Sequence, residues 1–197
     1  RHTEGAPMSE HRSVADCRAR LAELIREHAL RFGDFTLASG QKSTYFIDGK
    51  MVTLQAEGLY CLSRCLLDMI QDDGVAAVGG MSIGADPITG GVVTLAGAEG
   101  HPLIGFLVRK EQKDHGTRKQ IEGPVPDGAR VVMLEDVVTT GGSTLQAIAA
   151  VEREKQARVV KVIAMVDRLQ GARENLQQAG YEFEAIFTIE ELGVKAP

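Results

Sequence analysis

Two neighbouring carboxylates follow an apolar run in the segment VVMLEDVVTTGGST, residues 131–144. Glu135 and Asp136 repel each other and are costly to remove from water, so a buried pair needs partners that compensate its charge. Sugar hydroxyls and a bound cation are suitable partners. A turn of small and hydroxyl-bearing residues comes next: Val137, Val138, Thr139, Thr140, Gly141, Gly142 and Ser143. Amides and hydroxyls in such a turn can surround a phosphate, and a helix that starts there adds the positive end of its dipole.

A second candidate is the polar segment LVRKEQKDHGTRKQIEG, residues 107–123. It concentrates basic side chains: Arg109, Lys110, Lys113, His115, Arg118 and Lys119. The chain as a whole has a formal net charge of −5, so cations gathered on one long segment favour a polyanionic ligand. Each charge-assisted hydrogen bond to a phosphate contributes roughly 1.5–3 kcal/mol. A solvated charge run is the alternative explanation.

A third candidate is the glycine-rich turn GGMSIG, residues 79–84, between a predicted strand and a predicted helix. Its glycines allow a ligand to approach the backbone closely, although a plain strand-to-helix turn has the same composition. It is not a Walker A loop, because Ala85 and Asp86 stand where Lys and Ser/Thr are required. No G-x-G-x-x-G follows a strand either, which argues against a dinucleotide site.

One ligand would satisfy all three segments: a sugar phosphate that carries an activated phosphate group. Breaking its anomeric bond builds positive charge on the ring and negative charge on the leaving group. Carboxylates beside the ring and cations around the leaving group would stabilise both charges.

The elements that must position these segments alternate between strands and helices. Short apolar runs predict strands at residues 75–78, 103–108, 130–134, 159–166 and 183–189, and helices are predicted at 87–95, 143–153 and 172–179. This order predicts an α/β fold with a mostly parallel central sheet flanked by helices. Ahead of it we predict helices at 16–31 and 56–70, with two strands between them joined by a turn at Ser39 and Gly40.

Length and composition limit the classes of protein to which this chain can belong. The chain has 197 residues, of which 44% are apolar and 25% charged, which suits a single globular domain over residues 14–197, with 1–13 as a disordered leader. No apolar run approaches the ~20 residues of a membrane span, and the acidic balance argues against a nucleic-acid binder. Cys61 and Cys65 are expected in the core of a cytoplasmic protein.

The segments together resemble a known family. LEDVVTTGGS closely resembles the phosphoribosyl pyrophosphate signature of type I phosphoribosyltransferases, and RKEQKDHG resembles the mobile catalytic loop of orotate phosphoribosyltransferases. FTLASGQKSTYFID is similar to that family's N-terminal stretch, and MVDRLQGA to its segment near the base. The resemblance implies a type I phosphoribosyltransferase fold, with a small N-terminal hood at about residues 14–55 and a flexible catalytic loop.

The resemblance also implies roles for individual residues. Arg109, Lys110, Lys113 and His115 would bind the diphosphate, with Lys113 as the charge stabiliser at the leaving group. Glu135 and Asp136 would contact the ribose hydroxyls, and the turn from Val137 to Ser143 would hold the 5′-phosphate. Thr139 and Arg168 would contact orotate. The family further implies Mg²⁺ with the diphosphate, no protein side chain being assigned as its ligand, and a homodimer whose loop reaches the neighbouring subunit's site.

The sequence departs from the family pattern in two places, and two alternative functions compete with the one that the resemblance implies. Many members have a lysine where this chain has Ala38, and Tyr-Lys-Gly in the turn that here runs from Gly79 to Pro87. Those lysine roles cannot be transferred, and Lys42 and Lys50 are the candidate substitutes for the first. The Glu-Asp pair replaces a commoner Asp-Asp, which the ribose contacts should tolerate. The rivals are transfer to another base, such as a purine, and a non-catalytic regulator that senses phosphoribosyl pyrophosphate.

Overall fold

The structure, a computed structural model, describes residues 12–36, 42–70, 74–111 and 119–195. Its N-terminal part is a small hood that precedes the main sheet. The hood contains helix α1 (Val14–Leu24), a π-helical turn (Ile25–Ala29), strands β1 (Leu30–Thr36) and β2 (Lys42–Ile47), and the short helix α2 (Lys50–Thr53). β1 and β2 form an antiparallel two-stranded sheet of their own. The two predicted strands are therefore confirmed, while their turn at Ser39 and Gly40 lies outside the described residues.

The first helix ends earlier than its sequence predicts. The prediction was a helix over residues 16–31, but the α-helix ends at Leu24 and β1 begins at Leu30. Ile25, Ala29 and Leu30 are all buried, which continues the helical apolar pattern past the end of α1. Leu30 nevertheless pairs with Ile47 of β2, so strand pairing sets the boundary there.

The rest of the chain alternates helices and strands. Its elements are α3 (Ala56–Ile70), β3 (Ala77–Met81), α4 (Ala85–Ala98), β4 (Ile104–Val108), β5 (Ile121–Glu122), β6 (Arg130–Val138), α5 (Gly142–Lys155), β7 (Arg158–Asp167), α6 (Ala172–Gln178) and β8 (Phe183–Thr188). The six strands of the main sheet follow the order β5-β4-β3-β6-β7-β8. Among the described strands of this main sheet, only the edge pair β4–β5 is antiparallel. The predicted mostly parallel sheet is confirmed, and β5 is an addition within a segment that the sequence predicted as loop.

Helices cover both faces of the sheet and form a hydrophobic layer on each. Alternate residues of one strand contribute to the two layers. On β6, Val132 and Leu134 pack with α1, α3 and α4, whereas Val131 and Met133 pack with α5 and α6. The alternation follows from the two-residue period of a strand. The three cysteines, Cys17, Cys61 and Cys65, are free thiols buried in the first of these layers, as predicted for Cys61 and Cys65. In the described part of the chain, no helix has the length and apolarity that crossing a membrane requires.

β6 is longer than predicted, and this changes the position of the acids. The apolar pattern predicted its end at Leu134, but the strand continues to Val138. Val137 and Val138 still pair with Val166 and Asp167 of β7. Glu135 and Asp136 therefore lie within the strand instead of beyond its end.

Candidate active site

Glu135 and Asp136 point to opposite faces of the sheet, because neighbouring residues of a strand alternate. The sequence led us to expect both carboxylates on one ligand. Asp136 instead faces the layer of α4 and the hood, and Glu135 faces α5. Their surroundings differ accordingly and are described in turn.

Asp136 lies between two glycines. A Cβ atom added to Gly84, the residue before α4, would lie 2.6 Å from Oδ1 of Asp136. One added to Gly49, the residue before α2, would lie 2.9 Å from Oδ2. Both gaps are too short for a real Cβ, so the carboxylate rests directly against backbone from the hood and from the start of α4.

The charge of Asp136 is only partly compensated. Burial raises the pKa of this carboxyl, while the amide of Val137 and the nearby Lys50 act in the opposite direction. Lys50 begins α2, and its Nζ atom lies 2.7 Å from Oδ1 of Asp48. Of the two candidate lysines, Lys50 is therefore near the acid, whereas Lys42 is exposed on β2. Ala38 lies outside the described residues.

Glu135 is buried, with 7% of its surface exposed. Its Oε1 accepts a hydrogen bond of 2.7 Å from Oγ1 of Thr144, which is fully buried on α5. Burial raises the pKa of Glu135 to about 7, and the charge of Asp136 adds to the rise while the Thr144 hydrogen bond opposes it. This carboxyl therefore titrates near neutral pH, well above its ordinary range.

The turn after β6 has the form expected of an anion cradle. Gly141 adopts φ 79°, which a glycine tolerates without steric cost, and no side chain caps the helix α5 that follows. Its first amides are therefore free of a capping side chain, while Thr140, Gly142 and Ser143 are exposed. The turn is held from outside, because the carbonyl oxygen of Thr140 accepts a 2.9 Å hydrogen bond from Nδ2 of Asn175. Exposed amides at a helix start suit a phosphate.

The glycine-rich turn and the basic segment meet in one cleft of about 590 Å³. Ser82, Ile83 and Asp86 line it on one side, and Arg109 and Lys110 on the other. The peptide between Ser82 and Ile83 is cis. The cleft thus joins two of the three segments that the sequence singled out.

The basic segment is described only at its two ends. Arg109 is exposed, and its Nε lies 2.8 Å from Oε1 of Glu122 on β5. Lys110 and Lys119 are also exposed. Lys113, His115 and Arg118 lie outside the described residues.

The two predicted base contacts follow neighbouring strands. Thr139 comes directly after β6, and Arg168 directly after β7, where its backbone N–H donates to the carbonyl oxygen of Val138 at 3.0 Å. Arg168 is 7% exposed and Tyr45 of the hood is 4% exposed. Nε of Arg168 donates a 2.9 Å hydrogen bond to the hydroxyl of Tyr45. The arginine that the sequence marked only by resemblance is thus a buried group that joins the sheet to the hood.

The acids suit a divalent cation that arrives with its ligand. Within the described ranges, no group of three or more His, Cys, Asp or Glu side chains could hold a metal ion. Mg²⁺ commonly takes one or two carboxylates together with substrate phosphates and water. A single carboxylate such as Asp136, next to a turn whose form suits a phosphate, fits that donor set.

Three features of the site were missed from the sequence. Gly49 gave no signal, because its close approach to Asp136 depends on how the hood packs. Thr144 could have been noticed, since it follows the motif directly and stands at the buried face of an amphipathic helix. Tyr45 lies within the N-terminal stretch, but its type and position alone do not predict a partner as distant in sequence as Arg168.

Comparisons with known proteins agree with this geometry. The chain is 46% identical over 183 residues to orotate phosphoribosyltransferase from Rhodopirellula baltica, covering 90% of this chain and 94% of the other. It is 49% identical over 179 residues to orotate phosphoribosyltransferase from Synechocystis sp., covering 89% and 88%. The solved structure of Mycobacterium tuberculosis orotate phosphoribosyltransferase in complex with 5-phospho-α-D-ribosyl 1-diphosphate matches with a TM-score of 0.76 at 33% identity, covering 90% of this chain and 99% of that one. No protein-family model matches the chain. Its likeness to these relatives over almost their full length shows that the chain belongs to the orotate phosphoribosyltransferase family.

Proposed function

We propose that the protein transfers the ribose 5-phosphate group from 5-phospho-α-D-ribose 1-diphosphate to orotate. The products are orotidine 5′-phosphate and diphosphate, a step in the de novo synthesis of UMP. One observation carries the proposal in a chain of this family. The acidic motif with its small-residue turn lies at the carboxyl end of β6, and the buried Arg168, whose Nη2 has no partner, follows the carboxyl end of the neighbouring strand β7.

The donor's sugar and 5′-phosphate are assigned to β6 and the turn after it. The turn from Val137 to Ser143 holds the 5′-phosphate through the amides at the start of α5. Asp136 accepts hydrogen bonds from the ribose hydroxyls, and its negative charge opposes the positive charge that develops on the ring. Because its carboxylate rests against Gly49 and Gly84, it does not need to reorganise during the reaction. The contact between Glu135 and the ribose stays a prediction.

The leaving diphosphate is assigned to the cleft between the glycine-rich turn and the basic segment. Arg109 and Lys110 stand at its wall, and the proposal adds Lys113 and His115. Their cations neutralise the charge that grows on the diphosphate as the anomeric bond breaks, and Lys113 acts at the leaving oxygen.

Mg²⁺ is part of the proposal as the cation that accompanies the diphosphate. We assign Asp136, next to the proposed phosphate turn, as the carboxylate that would reach such an ion, directly or through water. When bound, the ion supplies positive charge to the diphosphate oxygens.

Orotate is a planar anion at neutral pH, and this chemistry favours an arginine. Arg168 offers guanidinium donors from within a buried setting, where a charged hydrogen bond is stronger than in water. Thr139, at the end of the neighbouring strand, adds a hydroxyl and an amide. These two residues are the proposed base contacts.

The test of the proposal is a direct assay. Incubation with orotate, 5-phospho-α-D-ribose 1-diphosphate and Mg²⁺ should deplete the ultraviolet absorbance of orotate and release diphosphate. Omission of Mg²⁺, with a chelator present, should stop the depletion. Turnover of a purine base with none of orotate would refute the substrate assignment.

We also propose a homodimer in which each loop completes the neighbour's site. An apolar groove of about 460 Å³ between α3 and α4, lined by Leu59, Tyr60, Pro87 and Leu95 among others, supports it as a surface that a second copy can cover. Light scattering after gel filtration measures the mass of the assembly.

Loop sharing has its own test in subunit complementation. Lys113→Ala and Asp136→Asn should each be inactive alone. A mixed dimer has one site with both residues intact, so random reassortment should restore about one quarter of the wild-type activity. If each loop serves its own subunit, the mixture stays inactive.

A cytoplasmic location completes the proposal. It is supported by the three cysteines, which are all free thiols, as expected of a protein from a reducing compartment.

A further inference from the structure

Arg168 is fixed by a single aromatic residue of the hood. Its Nε donates to the hydroxyl of Tyr45 at 2.9 Å, and its Cζ lies 4.6 Å from the centre of the Tyr45 ring. Both contacts are within the range of favourable hydrogen-bond and cation–π geometry. Tyr45 is itself buried on β2, so it offers the arginine a rigid partner.

The same arginine has a donor without a partner. Nη2 of Arg168 is buried and makes no hydrogen bond to any described residue. Leaving a buried charged donor unsatisfied is unfavourable, which a ligand acceptor would relieve. Oδ1 of the preceding Asp167 accepts from the amide of Leu169 at 2.8 Å, which fixes the backbone on both sides of Arg168. The guanidinium is therefore held at one edge and free at another.

We propose that Tyr45 is a positioning residue for orotate recognition, acting through Arg168. The inference rests on the proposed function and adds a residue to its base site. A free arginine side chain samples many rotamers, and fixing it before the substrate arrives removes that entropy from the cost of binding. The tyrosine hydroxyl sets the plane of the guanidinium, and Nη2 is thereby presented to an acceptor of the base. Tyr45 does not touch the substrate in this role.

Tyr45→Phe is the first variant, because it keeps the ring and removes only the hydroxyl. We expect the KM for orotate to rise roughly 10- to 100-fold, the loss of one hydrogen bond to a charged group. The thermal midpoint should fall by a few degrees, because the buried Nε of Arg168 loses its acceptor, whereas the KM for 5-phospho-α-D-ribose 1-diphosphate should stay close to wild type. A purely structural role would instead change the KM values of both substrates together.

Tyr181→Phe is the matched control. The hydroxyl of Tyr181 donates to Oε2 of Glu152 at 3.0 Å. Tyr181 precedes β8 and thus lies near the amino ends of the parallel strands, whereas Arg168 lies at their carboxyl ends. The same chemical change there should leave both KM values unchanged.

A double-mutant cycle tests whether Tyr45 acts through Arg168. Arg168→Lys keeps a cation for the substrate but has no guanidinium plane to orient, so orotate kinetics stay measurable. In that background Tyr45→Phe should change the orotate KM less than about twofold. A full additional rise would show that Tyr45 acts independently and would overturn the inference.

The outcomes separate the two proposals. If the wild-type protein consumes orotate but Tyr45→Phe leaves its KM unchanged, only the positioning role is wrong. If the wild-type protein fails to consume orotate, the proposed function is wrong, and the role of Tyr45 falls with it.

Discussion

The buried carboxyl of Glu135 should make the protein less stable as the pH rises through neutrality. Its pKa is raised by burial from the ordinary value of 4.5 to about 7. Below pH 4.5 the group is protonated in both states. Between these values the unfolded chain loses the proton while the folded protein keeps it, so the free energy of unfolding falls with pH. The full effect above pH 7 is roughly 3 kcal/mol, from ~1.4 kcal/mol per pH unit.

Glu135→Gln should remove this dependence. Glutamine keeps the size and the oxygen that accepts from Thr144, and it cannot ionise. We expect wild type and variant to have similar stability near pH 5, and the variant to be more stable by up to about 3 kcal/mol above pH 8. The difference should develop mainly between pH 5 and 7.

Urea denaturation followed by circular dichroism, repeated from pH 5 to 8.5, measures the difference. Glu190→Gln, a substitution at an exposed carboxylate after β8, is the matched control and should give a profile parallel to wild type. Parallel profiles for Glu135→Gln and wild type would refute the reasoning, because they would show that Glu135 ionises freely in the folded protein.

Three further predictions concern other parts of the molecule. Gly84→Ala places a Cβ 2.6 Å from Oδ1 of Asp136, so kcat/KM for the phosphoribosyl donor should fall at least about tenfold; Gly97→Ala, where nothing lies within 4 Å, should keep activity, and equal activity of the two variants would contradict the contact. Glu57, whose pKa is lowered to about 2 mainly by its hydrogen bonds with arginines, should stabilise the fold above pH 4.5 and lose that effect as the pH falls toward 2; Glu57→Gln should therefore be ~1–2 kcal/mol less stable at pH 7 and converge with wild type in acid titrations. Lys113→Ala should lower kcat by roughly 10²- to 10³-fold with an unchanged circular dichroism spectrum, and near-normal turnover would show that Lys113 has another role.

The order of elements was predictable because burial imposes a pattern on the sequence. Apolar runs separated by glycine turns marked all five parallel strands, and helical periodicity marked α3 at its exact bounds of Ala56–Ile70. The misplaced boundaries have a common cause. β5 and the last four residues of β6 are held by pairing with a neighbouring strand, and a local pattern of apolar residues contains no information about pairing partners.

The candidate site was predictable in composition but not in arrangement. The acid and Thr/Gly motif is contiguous in sequence, so its type could be identified from the residues. The opposite orientation of Glu135 and Asp136 depends on the strand continuing through them. The close contacts of Asp136 with Gly49 and Gly84 depend on packing between distant segments, which the spacing of residues in the sequence does not reveal.

The bond between Arg168 and Tyr45 joins residues 123 positions apart, whereas the turn proposed to hold the 5′-phosphate lies within the consecutive residues from Val137 to Ser143. A contact of such long sequence separation is entropically costly to form and is usually completed late in folding. It is also broken whenever the hood separates from the sheet in a partial unfolding event. Recognition of the acceptor base is therefore more fragile than binding of the 5′-phosphate: under mild denaturation we expect the protein to lose orotate while the turn after β6 still binds a phosphate.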